Sequence, residues 1–212
     1  MGSRSAPRVL VVGAGGHARV CIEALLDGGY EVLGCVSADG VGAVGLPRPV
    51  LGRTDDLVGV ASSVGATHAF VAVGDNATRE RLAGECGRAS LPLATAISRF
   101  AMVSPSAEVG DGAAVLAGAV VNAAAVVGRG AVLNTRCSVD HDNVVGAFAH
   151  VSVGVSLGGS VSIGARALVG IGSTVLPGLQ VGDDAVVGGG AVVVRDVPAG
   201  VTVVGVPAAV WP

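Results

Sequence analysis

Asp140-His141-Asp142 is the triplet in this sequence best equipped to move a proton. Near physiological pH a neutral imidazole takes a proton from an attacking amine or hydroxyl, and a neighbouring carboxylate can orient the ring and support its charged form. Three solvated surface residues are the competing reading. Against it, the surrounding sequence is poor in polar side chains, and Asn143 takes a position that neighbouring repeats usually fill with Ala. Of the four histidines, only His150 shares this region, nine residues beyond His141.

A second candidate site lies near the N-terminus. Gly13-Ala14-Gly15-Gly16-His17-Ala18 follows the apolar run Val9 to Val12 and precedes a helical pattern, Val20 to Leu26. A glycine turn between strand and helix lets backbone approach a phosphate at the positive end of the helix. Asp39 stands where the ribose-binding acid of a dinucleotide fold would stand, which taken alone points to NAD. The segment of about ninety residues is enough for only half of such a sheet, so a nucleotide or nucleotide-sugar site is the more economical reading. A tight turn without a ligand stays open. His17 either caps the helix locally or touches a sugar or phosphate. Gly74-Asp75-Asn76 ends a third apolar segment, Ala69 to Val73, where ligands of open α/β sheets gather.

Two kinds of element must position these residues. Residues 1–95 read as a small Rossmann-like α/β domain, with strands around Val9 to Val12, Val32 to Val36 and Ala69 to Val73 and a helix over Arg79 to Arg88. Pro92 and the loss of helical pattern near Leu93 mark its end. Residues 96–212 keep another period: an aliphatic residue recurs at every sixth position from Val103 to Val193 without a break. Four residues after most of these comes a small one, such as Ala113, Ala125 or Cys137, and Gly often follows directly, as in Gly110, Gly128, Gly146, Gly164 and Gly182. Neither the helix period of about 3.6 nor the strand period of about 2 accounts for this. Hexads fit short strands joined at corners, three to a triangular coil, so that residues eighteen apart stack in a parallel β-helix. His141 and His150 then lie half a coil apart, and metal ligation by the pair is not expected.

Composition narrows the function classes. The 212 residues carry a formal net charge of −3, and none of the thirteen basic residues is Lys, so no basic stripe suggests nucleic acid. Mean hydropathy is high, at +0.71, but Gly interrupts every apolar run before the length of about 20 that a membrane span needs. Met1 to Arg8 runs into Val9 without the apolar stretch and cleavage site of a signal peptide, and a soluble cytoplasmic protein is expected. Cys21, Cys35, Cys86 and Cys137 show no metal-binding or disulfide spacing and read as buried thiols.

These motifs together, in this order, resemble the sugar O- and N-acyltransferases of the sialic acid O-acetyltransferase and bacillosamine-pathway N-acetyltransferase type. The resemblance spans nearly the whole chain. It runs from Gly13-Ala14-Gly15-Gly16-His17 through Ala72-Val73-Gly74-Asp75-Asn76 with Arg79 and Leu133-Asn134-Thr135 to Asp140-His141-Asp142. It continues with His150-Val151-Ser152-Val153-Gly154, Gly188-Gly189-Gly190-Ala191 and Gly205-Val206-Pro207-Ala208. It implies a left-handed β-helix and a homotrimer with active sites between subunits. Acetyl-CoA is the implied acyl donor, with no metal, and a nucleotide-linked 4-amino-4,6-dideoxy sugar the acceptor, GDP-perosamine ahead of UDP-linked sugars.

Residue by residue, the resemblance makes His141 the catalytic base, Asp142 its support and Asn134 a polar neighbour on the substrate side. His150, Gly159, Ile171 and Gly189 match acetyl-CoA contacts, and Ala14, Gly15, Gly16, His17 and Gly74 the sugar-nucleotide site. The sequence departs from the pattern in two places: Ser37-Ala38-Asp39 replaces an acidic pair, and Ala209 replaces a Lys. Three rivals stand beside this reading: sugar O-acetylation on the same scaffold, a metal-dependent β-helix enzyme, and a non-catalytic nucleotide-binding scaffold.

Overall fold

The structure is a computed structural model that describes residues 6–211; the first five residues, on which the signal-peptide reading partly rests, lie outside it. The chain divides into two compact units, Met1–Ser98 and Arg99–Pro212.

The first unit is a parallel sheet flanked by helices. Strands β1 (Arg8–Val12), β2 (Glu31–Ser37), β3 (Val50–Arg53) and β4 (His68–Val71) lie in the order β3-β2-β1-β4, every pair parallel. Val9 to Val12 are at most 1% exposed, as a central strand covered on both faces demands. Helix α1 (Gly16–Asp27) buries Ala18, Cys21, Ile22 and Leu25, the spacing of a single apolar stripe. Helices α2 (Leu57–Val64) and α3 (Asn76–Arg88) complete the unit. The apolar pattern places β1, β2, β4, α1 and α3 but misses β3 and α2. β3 is a four-residue edge strand with no buried residue, and α2 has only eight residues before Gly65 ends it in the left-handed region. Neither is long enough to display a period.

The second unit is a left-handed parallel β-helix of two-residue strands. Each strand pairs in parallel with the one eighteen residues on, Ser138 with Ser156 and Val139 with Leu157, for example. The inward aliphatics from Val115 to Val193 are at most 3% exposed and stack into one core; Val103 and Val109, at the start, are only half-buried. From Gly112 to Gly190 corners recur every six residues, each with one residue in the left-handed region, among them Ala124, Arg136, Asp142, Phe148, Ser160, Arg166 and Asp184. A positive φ in the second central position is the mark of a type II turn. Beyond Val187, Thr202–Val204 adds to one sheet and Ala209–Val210 folds back antiparallel on it.

The three corners differ. One is built from Gly110, Gly128, Gly146, Gly164 and Gly182, each eighteen residues from the next. A Cβ on Gly146 would lie 2.6 Å from the amide nitrogen of Ala165 in the following coil, so backbone fills the space that a side chain would need. Leu116, Asn134, Ser152, Gly170 and Gly188 form the second corner, and Ser104, Asn122, Asp140, Gly158 and Leu176 the third. Gly146→Ala is expected to destabilise the β-helix by about 1–3 kcal/mol in denaturant unfolding, through overpacking. Gly87→Ala, in α3 with nothing within 4 Å of the added carbon, serves as the control and leaves stability unchanged or raised.

Candidate active site

His141 projects from the third corner, 59% exposed in its side chain. Its Nδ1 lies 2.8 Å from Asp142 Oδ2. A carboxylate only accepts, so Nδ1 carries the proton and Nε2 keeps its lone pair. Asp142 occupies the left-handed position of this corner, which Asp tolerates better than most residues, and the turn thereby sets its carboxylate beside the ring. The preceding residue grips the backbone: Asp140 Oδ1 accepts from the His141 amide at 2.8 Å and from Asn122 Nδ2 at 2.9 Å. The Asp142 hydrogen bond, then the Asp140 charge, raise the His141 pKa above the ordinary histidine value, with desolvation opposing. Asp140 is held below the usual carboxylate range by donation from the His141 amide and from Asn122.

The following coil leaves room for the ring. A Cβ on Gly159 would stand 2.6 Å from both Cε1 and Nε2 of His141. Only glycine lets the imidazole lie across this coil, and the backbone of Gly159 therefore borders the lone-pair nitrogen. Asn143 is wholly buried and accepts from the Val161 amide at 2.6 Å through Oδ1. An Asn in the Ala slot thus ties this corner to the corner of the next coil. Its Nδ2 is buried without a partner.

The other β-helix residues singled out by sequence group elsewhere. Asn134 Oδ1 accepts from the Thr135 amide at 2.8 Å, which directs Nδ2 to His150 Nε2 at 3.0 Å. Ile171, 60% exposed, packs beside Gly189 on the second corner. The expected acetyl-CoA contacts therefore fall on two edges of one prism, Gly159 with His141 on the third corner and Ile171 with Gly189 on the second. Cys137 is fully buried, and burial pushes its thiol up to about 12, too high for a nucleophile. Among the described residues, no group of three His, Cys, Asp or Glu is arranged to hold a metal.

The first unit contains a cleft of about 720 Å³ at the carboxyl ends of β1, β2 and β4. Ala14, Gly15, Gly16, His17 and Gly74 all line it. The glycines of the loop divide their roles. Gly13 has φ of +116°, and a Cβ there would meet the Ala72 carbonyl oxygen at 2.6 Å, whereas Gly15 and Gly16 face open space. No side chain caps the start of α1. The opposite end of the sheet's ligand edge is held by Arg79, 1% exposed, which donates Nη1 to the Val73 and Gly74 carbonyls at 3.0 and 3.1 Å. Burial lowers its pKa to about 10, so it stays cationic at neutral pH. Burial, and then the Arg79 charge, lower His17 to about 4 and leave it a neutral ring in the cleft wall.

Asp39 lies two residues beyond Ser37, which lines the cleft, and its Oδ1 accepts from the Ser37 hydroxyl at 3.1 Å and the Val41 amide at 3.0 Å. Charged groups reach the cleft from places that the pattern did not mark: Arg53 at the carboxyl end of β3 and Asp55 just past it, paired at 3.2 Å, and Arg81 and Glu85 one turn apart on α3. Recognising β3 would have revealed the first pair, since residues past a parallel strand's carboxyl end face the ligand side.

Residues 8–86 match the PglD N-terminal domain family. A variant of the GDP-perosamine N-acetyltransferase of Caulobacter crescentus, solved with CoA and GDP-perosamine, is 42% identical over 96% of both chains, with a TM-score of 0.92. The acetyltransferase domain of PglB from Neisseria gonorrhoeae, solved with acetyl coenzyme A, is 36% identical over 97% of this chain and all of that one, with a TM-score of 0.90. An uncharacterised protein of Acanthamoeba polyphaga mimivirus is 31% identical over 104 residues, and the match spans about a fifth of that curated relative's length. The chain belongs to the N-acetyltransferase family that includes the perosamine enzyme and the PglB acetyltransferase domain.

Proposed function

We propose that this protein transfers the acetyl group of acetyl-CoA to the 4-amino group of a nucleotide-linked 4-amino-4,6-dideoxy sugar, with GDP-perosamine the favoured acceptor. The observation that carries the reading is an exposed His141 with Nδ1 held by Asp142 and Nε2 left basic, in a chain 42% identical to an enzyme crystallised with CoA and GDP-perosamine. Each unit has one part of the work. The cleft of the first unit holds the nucleotide-linked sugar through the amides of the Gly13 to His17 loop, with Gly74 opposite. The β-helix supplies the base and the acetyl-CoA track.

The chemistry is direct attack. His141 Nε2 removes a proton from the amine as its nitrogen bonds to the thioester carbonyl carbon. The developing oxyanion is met by a backbone N–H, for which Gly159 is suited by its position against Nε2. The C–S bond then breaks, and the imidazolium returns its proton to the thiolate, leaving CoA and the amide. Asp142 holds the ring and supports its charged form between these transfers. No acyl-enzyme is required.

The division of Gly159 from Ile171 and Gly189 onto two corners supports a closed ring of three prisms, in which the third corner of one faces the second corner of the next. Acetyl-CoA would then run along the seam with His150 and Asn134 beside it. Both acetyl-CoA and nucleotide sugars are cytoplasmic metabolites, which supports a cytoplasmic site of action.

His141→Ala is expected to lower kcat by about 10²–10⁴-fold while CoA affinity by calorimetry stays unchanged; near-normal turnover removes His141 from the base role. The working form is the neutral imidazole, and its pKa is raised, so kcat/KM should climb with pH along an acidic limb centred above about 6.5. Asp142→Asn removes the largest cause of that rise and should move the limb to lower pH while lowering the plateau. Sedimentation should give a mass about three times the chain's 20.4 kDa, and a monomer would exclude the shared seam.

A further inference from the structure

The third corner carries a polar ladder through a wall that is otherwise mostly apolar. Asn122 and Asp140 occupy equivalent positions of successive coils, and Asn122 Nδ2 donates across the gap to Asp140 Oδ1 at 2.9 Å. The Asn122 backbone is already fixed by the coils: its amide donates to the Val139 carbonyl at 2.9 Å, and its carbonyl accepts from the Ala125 amide at 3.3 Å. Its side chain is therefore not needed to close the turn. The same Asp140 oxygen accepts the His141 amide, so one carboxylate atom joins the preceding coil to the backbone of the histidine.

We propose that Asn122 is a positioning residue for His141, acting through Asp140: it clamps the carboxylate that grips the His141 amide and sets a fixed negative charge beside the ring. Without this donor the Asp140 carboxylate keeps only its contact with the His141 amide, and its charge is held less firmly relative to the imidazole. The surroundings leave few other sources for such an effect. The preceding coil offers Asn122 and Ala123 and the following coil Gly159 and Ser160, none of them titratable. Asp140 and Asp142 are the ionisable groups that flank the ring. Asp142 acts on Nδ1 directly, whereas Asp140 acts at a distance and depends on being held. The kinetic part of this inference rests on His141 being the base; the electrostatic part does not.

The test is therefore made first on the protein without substrates. Titration of ¹³C-histidine-labelled full-length protein by NMR, with the His141 signal assigned by its loss in His141→Gln, gives the ring pKa directly. Asn122→Leu removes the donor and is expected to lower the His141 pKa by about half a unit. Asn122→Gln, which keeps an amide donor, is expected to shift it less. A titration of correctly folded Asn122→Leu superimposable on wild type overturns the proposal. With acetyl-CoA and GDP-perosamine, Asn122→Leu should lower kcat about tenfold while KM for acetyl-CoA changes less than about twofold, and Asn122→Gln should recover part of the loss. A purely structural residue would lower the melting temperature in Asn122→Leu and leave the ring pKa where it was. If the pKa shifts appear but no variant, wild type included, acetylates the sugar, the clamp stands and the assigned reaction fails.

Discussion

Backbone pairing between coils eighteen residues apart is the constraint from which the rest of this β-helix follows. Two-residue strands are too short to hold by themselves. Each is secured because its neighbours above and below lie in register, from Val126 against Val144 to Thr174 against Val192. The spacing between coils is so close at one corner that only glycine fits, as Gly146 shows against Ala165. It also makes a sequence separation of eighteen equivalent to contact. The geometry around His141 is an application of that rule: Asn122, Asp140 and Gly158 share a corner, and His141 lies over Gly159 because the second is one coil beyond the first.

This arrangement gives a rigid site from small means. His141 stands on a turn whose left-handed residue is Asp142, so the corner that reverses the chain also sets the carboxylate on Nδ1. Neighbouring coils contribute a donor on one side and a missing side chain on the other. The ring is oriented without being buried, which keeps Nε2 open to solvent.

The β-helix was legible in the sequence because its period is kept over some ninety residues, from Val103 to Val193, and nothing else repeats at six. The glycine loop was legible because Gly13 to Gly16 sit between a strand run and a helix pattern. What the sequence concealed was short or local. β3 buries no residue and leaves no apolar signature, so Arg53 and Asp55 went unnoticed. Asp39 has the separation expected of a ribose ligand, and its Oδ1 also accepts from the Val41 amide, a local contact that spacing does not reveal. The departure at Asn143 was visible; its cause, the amide of Val161 in the next coil, was not. Contacts eighteen apart such as Asn122 with Asp140 were present in the numbering and needed only the coil length to be found.

The proposed reaction acetylates an amine on a nucleotide-bound sugar by direct attack on a thioester. Purified protein incubated with acetyl-CoA and GDP-perosamine, resolved by mass spectrometry and NMR, tests it most directly. The account predicts one acetyl group on the 4-amino nitrogen for each CoA released, with no acetyl on the protein at any stage. Acetyl on a sugar hydroxyl, acetylated protein on the route to product, or no transfer to any nucleotide-linked 4-amino sugar would contradict it.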